Sequence, residues 1–374
     1  DMSAITPSSM QLNKLKWETT TEYNTGLDAT FLKGKLRFTV DVYQKYVKDL
    51  LQPKVKMPTT IGYGNGYQIS YMNSGKMTNK GWEFRVDAVP FQNKDWRVGV
   101  YFNIAHNENK ITEMPDNYIE ENYTFGNGNY AYRREEGRPM GSFYGYRYKG
   151  VYQNKDATYA RDIEGNVMKD ISGNAIVMRN GSYTVAPGDA IYEDVNHDGV
   201  INQYDIVYLG NSNPRLTGGA GLNVSYKQFK LSAIFYGRYG QDVVNATRLN
   251  NESMRGIDNQ STAVLRRWRN EGDQTDIPRA LYGEGYNTLG SDRFVEDASY
   301  LRLKSLSFTY RLPKKAIQRW GFNNIDVYVT GYNLFTWTNY TGQDPEVKTE
   351  NTYAKDTATT PASIQLVAGF NLSF

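Results

Sequence analysis

The sharpest chemistry in this sequence lies in the stretch DVNHDGVINQYD, Asp194 to Asp205. Asp194, Asn196 and Asp198 stand at positions 1, 3 and 5 of a calcium-loop pattern, Gly199 supplies the turn at 6, Val200 offers its carbonyl at 7 and Asp205 stands at 12. Oxygen-only ligands select a hard ion, so a structural calcium is expected here rather than zinc. An Asp at position 12 reaches less far than the usual Glu. The competing reading is an Asx-rich turn whose side chains cap their own backbone.

Aromatic residues on glycine-rich backbone form the second group. The stretches NYTFGNGNYAYRR (122–134), GSFYGYRY (141–148) and ALYGEGYN (280–287) carry Tyr123, Phe125, Tyr130, Tyr132, Tyr144, Tyr146, Tyr282 and Tyr286. Such rings stack on sugars, clasp peptides or pack beneath a protein partner, and these eight are candidate substrate or lid contacts. RRWR (266–269), followed by NEGDQTD, reads as a solvated helix with local charge pairing rather than an anion patch. His106 and His197 are isolated and read as loop residues. No Ser/His/Asp set or poised carboxylate pair is identifiable, so enzymatic activity has no support.

Composition narrows the class. Lysine plus arginine is 43 against 40 acidic residues, and the net charge of +3 argues for no nucleic-acid partner. With no cysteine and two histidines, disulfides, thiolate metal sites and His-rich metal sites are excluded. No apolar run is long enough for a transmembrane helix. The 31 tyrosines are twice the 15 phenylalanines and stand beside 34 glycines. So many amphipathic rings imply much surface at a boundary between apolar and wet surroundings.

The elements that would position these groups are strands. Tyr23, Thr25, Leu27, Ala29 and Phe31 alternate with polar residues, as do Leu36, Phe38, Val40 and Val42 after the short KGK turn. The pattern repeats at 82–88 and 96–104, at 220–226 and 231–239, and at 306–312 and 325–329. Leu301 and Leu303 fall out of register with Leu306, which predicts a bulge near Lys304 or Ser305. Short turns join each pair, whereas long polar stretches, 51–76, 107–216, 243–298 and 339–361, join the pairs to one another. Compact soluble domains rarely carry such loops. Outer-membrane β-barrels do, with short periplasmic turns and long extracellular loops.

Parity then requires 107–216 to be one extracellular excursion, so its strand-like GSFYGYRYKGVYQ lies outside the wall. Nine wall strands remain. The last, SIQLVAGFNLSF, places Ile364, Leu366, Ala368, Phe370, Leu372 and Phe374 on one face. At roughly 3.3 Å per residue and a tilt of about 45°, such a strand crosses about 25 Å of membrane.

Seven stretches carry a family resemblance. They include LKWETTTEYNTGLD (15–28), NSGKMTNKGWEF (73–84), EGRPMGSFYGYRYKGVYQ (136–153) and PGDAIYEDVNHDGVINQYD (187–205). NPRLTGGAGLNVSYKQFKLS (213–232), YLRLKSLSFTYRLP (300–313) and GYNLFTWTNYTGQDPE (331–346) complete the set. In this order they resemble the SusC/RagA family of TonB-dependent outer-membrane transporters, over nearly the whole chain. The resemblance implies an all-β fold: the last nine strands of a plugged transmembrane barrel of about 22 strands. The plug and the TonB-contacting box would lie outside residues 1–374, and the rest of the barrel would have to cover two strand edges otherwise left open in lipid.

The resemblance also implies import of oligosaccharides or peptides, a SusD-like surface lipoprotein as lid, the TonB complex as energy source and outer-membrane lipid around the wall. The terminal row Phe370, Leu372 and Phe374 resembles the signal read by the barrel-assembly machinery. A secreted, calcium-stabilised β-rich adhesin or glycan-binding module is the alternative class.

Overall fold

The structure, a computed structural model, describes residues 15–56, 68–114, 130, 134–350 and 353–374. Nine long strands form one sheet in which every neighbour pair is antiparallel and follows chain order. They are β1 (Thr19–Phe31), β2 (Leu36–Lys48), β3 (Lys76–Gln92), β4 (Trp96–Glu113) and β5 (Leu216–Tyr226). After them come β6 (Phe229–Tyr239), β7 (Tyr300–Arg311), β8 (Asn324–Thr338) and β9 (Gln365–Ser373). Among the described residues, the outer edges of β1 and β9 have no strand partner.

Register explains why alternation was so regular. Residues directly opposite across a ladder share a face of the sheet. One row therefore runs Leu27, Val40, Phe84, Ile104, Gly218, Gly237, Leu301 and Trp337 across eight strands. The neighbouring row on the other face runs Asp28, Thr39, Arg85, Asn103, Gly219, Tyr236, Arg302 and Thr336. The wall thus has one apolar face and one polar face, as a barrel between lipid and an aqueous lumen requires. Aromatic pairs flank the apolar face at both ends. Trp96–Tyr226 and Phe229–Tyr310, with ring centroids 4.3 and 4.9 Å apart, lie beside the short turns, and Phe335–Trp337 at 6.2 Å lies beside the long loops.

On the polar face, three tyrosines sit opposite glycines: Tyr43 and Gly81, Tyr101 and Gly221, Tyr328 and Gly369. In each pair the ring occupies the space that a Cβ on the glycine would need. The large ring covers backbone left bare by the small residue, which accounts for part of the tyrosine and glycine excess.

The expected bulge is present. Phe235 and Ile234 pair with Leu303 and Ser305, so Lys304 is the extra residue on β7. The Pro313–Asn324 link contains one helical turn, Lys314–Ile317, followed by a 3-10 turn. The loop boundaries differ from the sequence reading. β4 continues to Glu113, so the first excursion covers 114–215 rather than 107–216. Residues 107–113 lack apolar alternation because this end of the strand pairs charges instead, Lys80 with Glu108 at 2.9 Å and Lys76 with Glu113.

The long connections are not extended polar chain. They fold into a layer with hydrophobic cores of their own, whereas along much of the wall large apolar side chains such as Leu27, Phe102 and Phe308 stay exposed. Ser142–Gly145 pairs with Val207–Asn211, and Tyr148–Val151 pairs with Ala190–Tyr192. Asp242–Asn245 pairs antiparallel with Val295–Asp297 and parallel with Tyr353–Asp356, tying the later two connections together.

Candidate functional site: the loop platform

The platform is built where side chains from three connections meet. Its main core holds Tyr144, Tyr146, Tyr152, Tyr192 and Ile201 from the first excursion against Tyr286 and Leu289 from the second. Tyr286 is the pivot: it stacks on Tyr183 at 5.2 Å and meets Tyr192 edge-on at 5.3 Å. Burial pushes the phenols of Tyr146, Tyr192 and Tyr286 well above their ordinary value, so they stay neutral.

This placement corrects the expectation for several rings. Tyr144, Tyr146 and Tyr286 are core residues with no ring face left for a ligand. Tyr130 is buried too, in a second core with Phe143 and Phe294, and its hydroxyl donates to the Ser291 carbonyl at 2.7 Å. Glycine-rich loops supply exposed rings only if nothing folds over them, and here the neighbouring excursion does. Tyr282 is the exception, at 79% exposure. Tyr123, Phe125 and Tyr132 lie outside the described residues.

Three ionic networks lock the platform. Asp189, fully buried, accepts hydrogen bonds from Arg279 Nε at 2.7 Å, Tyr183 OH at 2.7 Å, Ala186 N at 2.8 Å and Asn287 Nδ2 at 3.2 Å. That cluster joins the first excursion to the second, and the Asp189 carboxylate raises the Arg279 pKa further. In the second network Arg248 bridges Glu252 at 2.9 Å and Glu296 at 3.1 Å, and Arg293 reaches Glu252 at 2.8 Å. Burial opposes ionisation of Glu296, but the N–H and hydroxyl of Thr341, with Arg248, hold its pKa below the ordinary value.

The third network joins wall to platform. Arg302, buried on the polar face, contacts Asp344 at 2.5 Å and Glu346 at 2.9 Å. Lys304 adds a contact to Glu346 at 2.7 Å. Lys304 stands two residues after Arg302 and shares its face, and the bulge at Lys304 lets the apolar row resume at Leu306. Sequence reading found the bulge from its broken register, but the carboxylates that answer it lie about forty residues away and leave no local signal.

The Asp194–Asp205 stretch forms a closed turn. Asp194 accepts from Gly199 N at 2.8 Å and Asp198 N at 3.2 Å, and Asp198 accepts from Val200 N at 2.8 Å. Asn196 and Asn202 donate to the Asp198 carboxylate at 2.9 and 3.4 Å, and Gly199 takes the positive φ of +79°. Asp205, fully buried, spends both oxygens on the Val195 and Asn202 N–H groups, each at 2.8 Å, and burial raises its pKa. Among the described residues, no three His, Asp or Glu side chains converge as a metal cluster. Asp194, Asn196 and Asp198 stand on one turn and the Val200 carbonyl accepts from Asn202 Nδ2 at 3.1 Å, whereas Asp205 serves to close the loop.

The remaining sequence features also find places. RRWR is not an α-helix: a 3-10 turn ends at Arg266, and the Trp268 ring fills the space a side chain on Gly188 would need, Gly188 also holding a positive φ of +88°. His106 belongs to β4, not to a loop, and its Nδ1 lies 2.6 Å from the Arg215 carbonyl. Leu366, Phe370 and Leu372 line the exposed apolar face of β9, and Phe374 lies 5.3 Å from the Phe322 ring.

A one-sided sheet that is apolar outside, polar inside, girdled by aromatic rings and topped by folded loops is the wall of an outer-membrane β-barrel. Residues 3–334 match the family described as TonB dependent receptor-like, beta-barrel, and the chain belongs to that family. A TonB-dependent receptor of Formosa agariphila is 32% identical over 91% of this chain and 32% of its own length. The TonB-dependent receptor SusC of Bacteroides thetaiotaomicron is 29% identical over 96% of this chain and 32% of its own. The structure of the RagAB peptide transporter superposes with a TM-score of 0.73 at 28% identity, covering 96% of this chain and 36% of that one. The chain therefore spans about a third of the length of the relatives it matches.

Proposed function

We propose that this chain is the C-terminal wall and loop platform of a TonB-energised importer that takes up peptides or oligosaccharides beneath a surface lipoprotein. The carrying observation is the pairing of a two-faced wall with a folded platform of long loops that has hydrophobic cores of its own. Likeness to the RagAB peptide transporter favours peptides among the cargo classes. The mechanism is gated passage, with no bond made or broken. Uptake of a peptide digest and of oligosaccharides by cells with and without the full-length transporter tests this. Uptake that is identical in both, or unaffected by loss of TonB, overturns it.

In this reading the long loops are extracellular and the turns at 33–35, 92–95, 227–228 and 313–324 periplasmic. Cysteine labelling in intact cells should modify position 166 and spare position 33, and the reverse overturns the topology. The lipoprotein lid would rest on apolar side chains that the platform leaves uncovered, notably Ile163, Ile171, Ile257 and Tyr282. Gentle purification of the full-length protein with no lipoprotein attached would count against a lid. The Phe370–Phe374 row is proposed as the assembly signal: Phe374→Ser should lower folded barrel in the membrane, and undiminished heat-modifiable protein would refute it.

Calcium is proposed at Asp194, Asn196, Asp198 and the Val200 carbonyl, pinning the end of the first excursion. Affinity should be modest, about 10⁻⁴–10⁻³ M as for extracellular modules. Calorimetric titration with calcium alone that shows no binding up to 10 times that range, roughly, removes it.

A further inference from the structure

Between the second excursion and the connection that follows β8 lies a cavity of about 510 Å³ that none of the three networks fills. It is lined by Asn245, Thr247, Arg248, Asn251, Glu252 and Ser261, and its open rim carries Arg266 and Thr341–Gln343. Its floor is prebuilt. Asn245 and Glu252 are almost fully buried, and Asn245 donates to Glu296 at 3.1 Å and to Thr341 Oγ1 at 3.2 Å. Arg248 is already neutralised by Glu252 and Glu296.

Around that balanced floor stand three side chains, half-buried Asn251 and exposed Arg266 and Gln343, whose carboxamides and guanidinium make no hydrogen bond or ion pair among the described residues. We infer that this cavity is a subsite for an extended peptide, resting on the importer reading above. A carboxamide offers one donor and one acceptor side by side, the complement of a peptide group's C=O and N–H. A guanidinium holds a carboxylate through two parallel hydrogen bonds, which suits a peptide C-terminus or an acidic side chain. Among the described residues no aromatic ring lines the cavity, so they offer no stacking platform for an apolar sugar face. Its volume falls within the range of ordinary ligand sites, roughly 300–1,000 Å³.

The test uses the full-length transporter, with whatever partner co-purifies, and two probes: an octapeptide with a free C-terminus and the same octapeptide amidated. Maltoheptaose is the sugar control. Asn251→Ala combined with Gln343→Ala should weaken both peptides about tenfold, the loss of a good hydrogen-bonded pair. Arg266→Gln should weaken the free-carboxylate peptide by a similar factor, about tenfold, and leave the amide unchanged. Folding is checked independently by heat-modifiable migration. Folded variants that bind both peptides as the wild type does overturn the subsite while leaving the importer reading intact. Binding of maltoheptaose that is lost in the same variants assigns the cavity to sugars and also overturns the inference. Wild-type cells that import neither class would instead defeat the importer reading.

Discussion

The wall and the platform bury their apolar residues in opposite ways. In the wall, large hydrophobic side chains such as Leu27, Phe102, Phe308 and Phe370 remain exposed after folding. In the platform, Phe143, Phe294, Tyr192 and Ile201 are buried by their own chain. The wall is completed by lipid on one side and by lumen contents on the other, whereas the platform is completed by tertiary packing. One chain therefore contains two kinds of stability, and a given type of substitution should act on one and spare the other.

The largest expected effect is in the platform. Arg279→Ala leaves the buried Asp189 without its counter-charge, which typically costs about 3–5 kcal/mol. The loops should become protease-sensitive while the barrel stays heat-modifiable. If the barrel is lost as well, the two regions are not independent. In the wall, adjacent residues of β5 give a sharper contrast. Leu222→Arg puts a charge on the apolar face at a cost of about 2–4 kcal/mol, whereas Asn223→Arg points to the polar face and should be tolerated. Equal loss of assembled barrel for both would show that the faces are misassigned.

Acid should loosen the platform before the wall. The Glu296 and Asp344 pKa values are held below their ordinary 4.5 and 3.8. For Asp344, burial opposes this but the Ala362 and Glu346 N–H groups and Arg302 outweigh it. Because the folded values are depressed, the stabilisation is complete above the ordinary values and is lost as pH falls through the folded ones. Hydrogen exchange at 339–361 should rise below about pH 4. Protection that is unchanged down to pH 3, or roughly that, would remove these carboxylates from the account. The smallest effect belongs to Lys80→Ala at the exposed pair with Glu108, about 0–1 kcal/mol by the melting of the full-length barrel.

Much of the wall was legible in local sequence. The period of two in Val86, Phe102, Leu222 and Phe308, the KGK turn and the slip at Leu303 are short-range patterns, and a strand's face is fixed by parity alone. The candidate site was not legible in the same way. Tyr144 and Tyr286 were read as presented rings because their immediate neighbours are Gly and polar residues, yet each is buried by residues more than sixty positions distant. Lys304 could be marked as irregular, but not as a partner of Glu346.

By itself, the sequence determined which residues face lipid, how many strands cross and where the chain turns, because alternation and turn chemistry are set within a few residues. The meeting of Asp189 with Arg279, the enclosure of Tyr130 by Phe143 and Phe294, the diversion of Asp205 to backbone N–H groups and the cavity beside Asn251 were decided only by tertiary structure. Each depends on which distant segment arrives to supply a counter-charge, a packing face or a donor. No periodicity along the chain encodes that arrival, since burial in an irregular layer is fixed by the whole set of long-range contacts at once.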